Sequence, residues 1–155
     1  MALPLKIEHR VGVQTPADVI WPIISQIGAW QEWNPLYTKA EGVIGFESVL
    51  TLELSLPGEK PRTIRPTVVD WTPNEQILWR LNTLGGLIRS VRFIEVEALT
   101  ETGCIFSNGE IFEGPLQGLI SRKLRRTIKA GFVAMGEAVR DRAEAAWKAQ
   151  GGGAT

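Results

Sequence analysis

The chain has 155 residues, of which 44% are hydrophobic and 22% are charged, and 17 basic residues balance 17 acidic ones. A chain of this size and composition is expected to form one globular domain, here residues 1–150, with a flexible tail at 151–155. Zero net charge gives no overall attraction to nucleic acid, so we expect no nucleic-acid partner. The single cysteine, Cys104, excludes a disulfide within the chain, and the single histidine, His9, excludes a metal site built from several histidines.

Signals for membrane insertion, secretion and cofactor binding are missing from the sequence. No apolar stretch approaches the roughly 18 residues that a spanning helix needs, and residues 1–14 lack the pattern of a signal peptide. Glycine-rich phosphate loops, metal motifs and nucleophile elbows do not occur either. We therefore expect a cytoplasmic protein with no stable membrane insertion, no metal and no cofactor.

The first elements are a strand and two short helices. Residues 5–13 alternate between apolar and polar side chains, which predicts a strand with one buried face, and His9 lies on that face. A helix is predicted from about residue 16, where proline suits a first turn, to Gly28, which suits a helix end. The following residues, AWQEWNP, place Trp30 and Trp33 at helical spacing, so we expect a short helical turn that the Asn-Pro pair ends.

Residues 37–112 read as a succession of strands. Runs with a period of two residues alternate with turn signals such as Pro-Gly, Thr-Pro-Asn and Gly-Gly, which is typical of an antiparallel meander. Together with the first strand, this stretch predicts a sheet of about six to seven strands. The clearest runs are 50–56, 62–71, 76–81, 87–98 and 104–112.

A long helix is predicted after Gly114-Pro115. Apolar residues recur at spacing four from Leu116 to Ala143, which predicts one helix of about 30 residues. Gly131 and Gly136 interrupt it, and either close packing or room for the sheet, a ligand or a bend would explain them. A helix of this length must lay its apolar face on the concave side of the sheet. The predicted fold class is therefore α+β, with a strongly bent antiparallel sheet wrapped around a long C-terminal helix.

Several segments carry a resemblance to a known superfamily. They are TPADVIW at 15–21, WQEWNP at 30–35, Pro73 with Leu-Trp at 78–79, Gly-Cys at 103–104 and EIFEG at 110–114. In order and spacing they resemble the START-like, or SRPBCC, superfamily of helix-grip proteins, in pattern nearest to its polyketide cyclase/dehydrase-like members. The resemblance implies a mostly apolar cavity between the sheet and the long helix. It carries over no catalytic residue, because the superfamily shares no fixed catalytic motif.

The first functional hypothesis is a binding protein. A small hydrophobic or amphipathic molecule, such as a lipid, a polyketide or an aromatic metabolite, would occupy the central cavity. The expected lining residues share an inward position on the sheet or the helices. They are Trp30, Trp33, Tyr37, Leu52, Leu54, Trp79, Phe93, Asn108, Glu110, Phe112, Phe132 and Met135.

The second hypothesis is a cofactor-independent enzyme of the polyketide cyclase/dehydrase type. His9 and Glu110 are the candidate acid/base groups, because each shares a strand face with apolar residues. Each also has a structural alternative: His9 as a core group, and Glu110 either at a sheet edge through a bulge or register shift or as the partner of an arginine. We assign no catalytic residue, and one of four strand arginines is a candidate to enter the cavity. They are Arg65, Arg80, Arg89 and Arg92.

A third hypothesis is a protein-interaction module. The basic stretch 122–129 is one candidate contact, and the outward Ile105 and Ile111 form another. A solvated helix face explains the basic stretch better, since acidic residues follow it. A homodimer, formed through the outer face of the sheet or an edge strand, is left open.

Overall fold

The structure is a computed structural model and describes residues 4–152. Two α-helices and eight strands are found there, together with short 3₁₀ turns at Ile27–Glu32, Leu84–Gly86 and Gln117–Leu119. The helices are α1 (Ala17–Ser25) and α2 (Arg122–Ala149). The strands are β1 (Leu5–Val13), β2 (Tyr37–Glu41), β3 (Thr51–Leu54), β4 (Arg62–Ile64), β5 (Thr67–Thr72), β6 (Gln76–Thr83), β7 (Ile88–Thr100) and β8 (Gly103–Glu113).

All strand pairs are antiparallel and fall into two groups. Five strands run in the order β1-β8-β7-β6-β5, and three run in the order β2-β3-β4. The groups meet where Val49 pairs with Thr67 and where the N–H of Leu50 donates to the carbonyl of Pro66 at 2.9 Å. They form one strongly bent sheet around α2, which confirms the predicted fold class.

The sheet has eight strands among the described residues, against the six to seven predicted. The run 62–71 is not one strand, because it breaks at Arg65 and Pro66 into β4 and β5. Proline has no N–H to donate to a ladder, so it marks the point where a chain leaves one strand partner for another. Ile64 pairs with Leu52 in the smaller group, whereas Thr67 already pairs with Arg80 in the larger one.

The long helix starts later than its apolar repeat suggested. Ser121 caps it by accepting the N–H of Leu124 at 3.1 Å, and the segment before it forms a 3₁₀ turn. The two helix glycines are explained by close packing. A Cβ on Gly136 would lie 2.6 Å from Nδ1 of His9, and one on Gly131 would lie 2.8 Å from a methyl carbon of Leu36.

The two tryptophans of the 3₁₀ turn have different environments. Trp30 is fully buried, and its indole N–H donates to the carbonyl of Ile23 at 3.2 Å. Trp33 is half-buried and meets Trp30 edge to face, with ring centroids 6.4 Å apart. The side-chain oxygen of Asn34 accepts the N–H groups of the next strand's start, which ends the turn as predicted.

Two remaining predictions concern the termini and the membrane. Gly151 and Gly152, from the predicted tail 151–155, form a turn that closes α2, while residues 153–155 lie outside the described part. Within residues 4–152, the helices are too short or too polar to cross a bilayer.

Candidate functional site

A cavity of about 140 Å³ lies between α2 and the bent sheet. Larger hollows, of about 460 and 640 Å³, lie on the surface. We place the site in the smaller cavity because a buried ion pair forms part of its wall. The wall comprises Leu56, Arg62, Leu81, Thr83, Ile88, Ser90, Arg92, Glu110, Phe112, Ile120, Leu124 and Ile128.

The ion pair joins Arg92 of β7 to Glu110 of β8. The two residues are direct cross-strand partners, and their side chains are 4% and 2% exposed. Nε of Arg92 lies 3.0 Å from Oε2 of Glu110, although the N–H direction is too oblique for a hydrogen bond. Two charges have therefore been removed from water without full hydrogen bonding, which is costly in an apolar interior.

Tyr37 of β2 completes this polar group from outside the cavity wall. A terminal N–H of Arg92 donates to its hydroxyl oxygen at 2.7 Å, and the guanidinium carbon lies 5.7 Å from the ring centroid of Tyr37 and 6.0 Å from that of Phe132. Burial is the largest single effect and disfavours the charge on Arg92, but the interactions with Glu110 and Tyr37 together outweigh it and raise the pKa of Arg92. Burial also raises the pKa of Tyr37, so its phenol stays protonated.

One oxygen of the carboxylate is left without a partner. Among the described residues, neither Oε1 of Glu110 nor Nε of Arg92 has a hydrogen bond. The nearby hydroxyl of Ser90 makes only a long contact, 3.4 Å, to the carbonyl of Leu81. Buried polar atoms are nearly always paired in native proteins, so an unpaired carboxylate oxygen in a cavity wall indicates room for a hydrogen-bond donor from elsewhere.

The cavity adjoins an outer hollow of about 170 Å³. The two spaces share Leu56, Arg62 and Leu124, which we call the mouth. The mouth lies between the β3–β4 connection and the first turn of α2. An apolar ligand that enters there would pass Arg62 at the surface and reach the ion pair inside.

The predicted lining residues separate into several groups. Glu110 and Phe112 line the cavity, and Leu54 lines the outer hollow. Trp30, Trp33, Tyr37 and Trp79 instead form an aromatic cluster with ring centroids 5.4–6.4 Å apart. This cluster fills the neighbouring part of the interior. Four further residues line neither space and are buried in the packed interior: Leu52, Asn108, Phe132 and Met135.

Phe93 requires a correction, because it lies on the outer face of the sheet. A Cβ on its strand partner Gly109 would come within 2.5 Å of the Phe93 ring, and Lys6 lies over that ring at 5.4 Å. The neighbouring Arg92 therefore occupies the inward position. Since β7 carries apolar residues on both faces, its alternation did not indicate which face points inward.

His9 and Glu110 do not share a pocket. His9 faces α2 beside Gly136 and Asn108, and it is not part of the cavity wall. Burial, followed by the charge of Lys129, lowers the pKa of His9, and its Nδ1 has no partner among the described residues. The pairing alternative for Glu110 is the one observed.

The sequence analysis missed much of the wall. Arg92 was named only as one of four arginines, and the other three, Arg65, Arg80 and Arg89, are exposed. Ser90 and Ile128 were not named, although Ser90 lies two residues before Arg92 on the same face of β7. The signal that could have identified Arg92 was its charge complementarity with Glu110 on the neighbouring strand. Within the described chain, no group of three or more His, Cys, Asp or Glu residues could hold a metal ion.

Solved structures with the same architecture are numerous. An aromatase/cyclase (Zhui) from Streptomyces sp. R1128 is 20% identical, with a TM-score of 0.78 and coverage of 97% of this chain and 99% of that one. A START superfamily protein from Mycobacterium smegmatis is 18% identical, with a TM-score of 0.73 and coverage of 91% and 98%. Norcoclaurine synthase from Thalictrum flavum is 17% identical, with a TM-score of 0.69 and coverage of 91% and 94%. At these identities the likeness establishes the fold alone.

A family model gives the classification. No curated protein matches the sequence. The model described as polyketide cyclase / dehydrase and lipid transport matches residues 4–144. Because this match spans nearly all of the described chain, from β1 into the last turns of α2, the chain belongs to the polyketide cyclase / dehydrase and lipid transport family.

Proposed function

We propose that the protein binds a small amphipathic molecule in the cavity, with a hydroxyl or other hydrogen-bond donor directed at Glu110. The observation that supports this proposal is the unpaired Oε1 of Glu110 in the wall of an otherwise largely apolar cavity. Replacing a buried ion pair by apolar residues is often neutral or stabilising. A contribution to stability therefore explains the buried pair of Arg92 and Glu110 poorly. Recognition of a polar group on a ligand explains it better.

The size of the cavity limits the ligand. An apolar cavity of about 150 Å³ in another protein admits benzene, whereas sites for drug-sized ligands measure about 300–1,000 Å³. The cavity of about 140 Å³ therefore suits a single aromatic ring or a short alkyl chain. A longer ligand would extend through the mouth into the outer hollow, past Arg62.

The ligand class can be tested without a mutation. We compare p-cresol with toluene, which have nearly the same shape, by calorimetric titration of the unmodified protein. A hydrogen bond to a charged group contributes about 1.5–3 kcal/mol, so p-cresol should bind roughly 10- to 150-fold more tightly. Equal affinities, or no binding of either compound, would contradict the proposal.

A variant that fills the cavity supplies the matched control. Ile128→Phe adds volume at the cavity wall and should abolish binding of p-cresol. Leu99→Phe makes the same kind of change at a residue that is 60% exposed and outside the cavity, and it should bind like the unmodified protein. Tryptophan fluorescence would show that both variants are folded.

A cofactor-independent cyclase or dehydratase is the second candidate, and the same oxygen of Glu110 favours it. Glu110 would accept a proton from the substrate, while Arg92 would stabilise the developing oxyanion. His9 takes no part in this candidate, because it lies outside the cavity. The test is incubation with a short poly-β-ketone thioester. If the unmodified protein forms a cyclised or dehydrated product and Glu110→Gln does not, the enzyme is favoured. If the thioester binds but is not converted, the binding-protein proposal is favoured.

A further inference from the structure

Three exposed leucines lie in the mouth of the cavity or next in sequence to residues of its wall, Ile88 and Ile120. Leu119, in the 3₁₀ turn before α2, is 70% exposed, and Leu124, in the mouth itself, is 37% exposed. Leu87, on the β6–β7 turn, is 46% exposed, and its carbonyl accepts the N–H of Leu116 at 3.2 Å. That hydrogen bond ties the β6–β7 turn to the segment that carries Leu119. The three leucines therefore lie around one end of the molecule.

Basic residues accompany these leucines. The first eight residues of α2 contain five cations, and no acidic residue occurs between Gly114 and Gly136. Arg62 and Lys60 add positive charge across the outer hollow, where Glu59 is the single acidic residue. A chain with zero net charge thus concentrates positive charge along the first turns of α2, next to Leu124 of the mouth, although Arg125, Arg126 and Lys129 line a separate surface hollow beside β1. The five helix cations are Arg122, Lys123, Arg125, Arg126 and Lys129, of which Arg125 donates to the carbonyl of Ile120 and Lys129 to the carbonyl of Glu8.

The position of these cations is unfavourable for the helix itself. The N-terminus of a helix carries partial positive charge and is stabilised by acidic residues, yet the first turn of α2 contains none. Arg122 and Lys123 instead add charge of the same sign. Features that contradict a local stability rule are expected at functional sites. A partner that fits this surface would therefore be anionic.

We infer that Leu87, Leu119 and Leu124, with the basic first turns of α2, form a peripheral docking surface for an anionic lipid bilayer. The leucines would enter the boundary between headgroups and acyl chains, and the cations would contact lipid phosphates. This combination of exposed apolar side chains and cations fits a bilayer better than it fits nucleic acid, which offers no acyl region. Docking would place the mouth against the membrane.

A second exposed apolar patch gives an internal comparison. Val43, Phe46 and Val49, on the β2–β3 connection, are 76%, 74% and 57% exposed. Acidic residues flank this patch at Glu41 and Glu47, so an anionic surface would repel it. The inference therefore predicts that lipid binding depends on the docking surface and not on exposed apolar area in general.

Co-sedimentation with vesicles tests the charge requirement. The full chain should bind vesicles of phosphatidylcholine and phosphatidylserine mixed two to one, and it should release them as salt is raised. Vesicles of phosphatidylcholine alone should bind far less. Each basic residue near an anionic membrane contributes about a fivefold change in affinity, so Arg122→Gln/Lys123→Gln should weaken binding roughly 25-fold. Arg142→Gln/Lys148→Gln, which changes the net charge equally at the other end of α2, should bind normally.

The apolar requirement is tested by two aspartate substitutions. Leu119→Asp should abolish vesicle binding, whereas Phe46→Asp should leave it unchanged. Equal binding to vesicles with and without phosphatidylserine would overturn the inference. Equal effects of Leu119→Asp and Phe46→Asp on vesicle binding would do the same. So would capture of nucleic acid with no binding to vesicles. The assay uses empty vesicles, so its outcome is independent of whether p-cresol binds the cavity.

Discussion

Replacing Glu110 by glutamine should lower the free energy of unfolding by about 3 kcal/mol. The substitution keeps the shape of the side chain and removes its charge, which leaves the buried guanidinium of Arg92 without a counterion. The side chains of Glu110 and Arg92 are 2% and 4% exposed, so bulk water does not replace the lost counter-charge. The expected loss follows from this uncompensated charge rather than from lost packing.

The remaining contacts of Arg92 set the magnitude. Removing one partner of a buried ion pair typically costs about 3–5 kcal/mol. Arg92 would keep its hydrogen bond to Tyr37 at 2.7 Å and its position near the rings of Tyr37 and Phe132, which places the loss at the lower end of that range. For a chain of this size, about 3 kcal/mol corresponds to a fall in Tm of roughly 6–12 °C.

Urea unfolding, followed by tryptophan fluorescence, measures the effect. The double variant Arg92→Met/Glu110→Leu should recover most of the stability, because it removes both charges together. Arg10→Gln breaks an exposed ion pair, in which Arg10 lies 3.3 Å from Glu97, and it should have little effect. A loss in the free energy of unfolding below about 1 kcal/mol for Glu110→Gln would refute the reasoning. So would a double variant whose loss equals the sum of the losses of Arg92→Met and Glu110→Leu measured separately.

Two further predictions concern buried contacts of β1 and β8. Because burial lowers the pKa of His9, protonation is disfavoured in the folded state, so stability should fall as the pH drops below 6.5 towards the folded-state pKa. His9 is the only histidine, so its NMR titration is unambiguous, and a midpoint at or above 6.5 would contradict the structure. Gly109→Ala should destabilise the fold by about 1–3 kcal/mol, since its Cβ would lie 2.4 Å from the carbonyl oxygen of Ile7. Gly12→Ala, with nothing within 4 Å of the added carbon, should be nearly neutral in the same urea assay, and similar losses for both would exclude steric conflict as the cause.

The architecture could be predicted from the spacing of apolar residues, because that spacing follows from which face of a strand or helix is buried. Alternation over residues 5–13 gave β1 with its observed bounds, and the repeat at spacing four gave the long helix. The break at Pro66 was available in the sequence as well, but the apolar residues on both sides of it read as one run. Helix and strand boundaries of this kind depend on which partner each residue finds.

The site was less readable, because it depends on which face of each strand points inward and on what fills the space. Glu110 could be placed inside from its neighbours Phe106 and Phe112, and that placement agrees with the structure. On β7, however, Arg92 and Phe93 are both buried, one on each face. Only packing decides between them: Phe93 covers Gly109 outside, so Arg92 turns inward.

The sequence by itself therefore determined the order of elements, the bent sheet around a long helix and an inward carboxylate. The tertiary structure decided that Arg92 is the partner of that carboxylate and that the tryptophans fill the interior beside the cavity rather than lining it. It also decided that the space left over is about 140 Å³. The physical reason is that periodicity reports one face of one element, whereas a cavity is the volume that several elements, packed together, fail to fill.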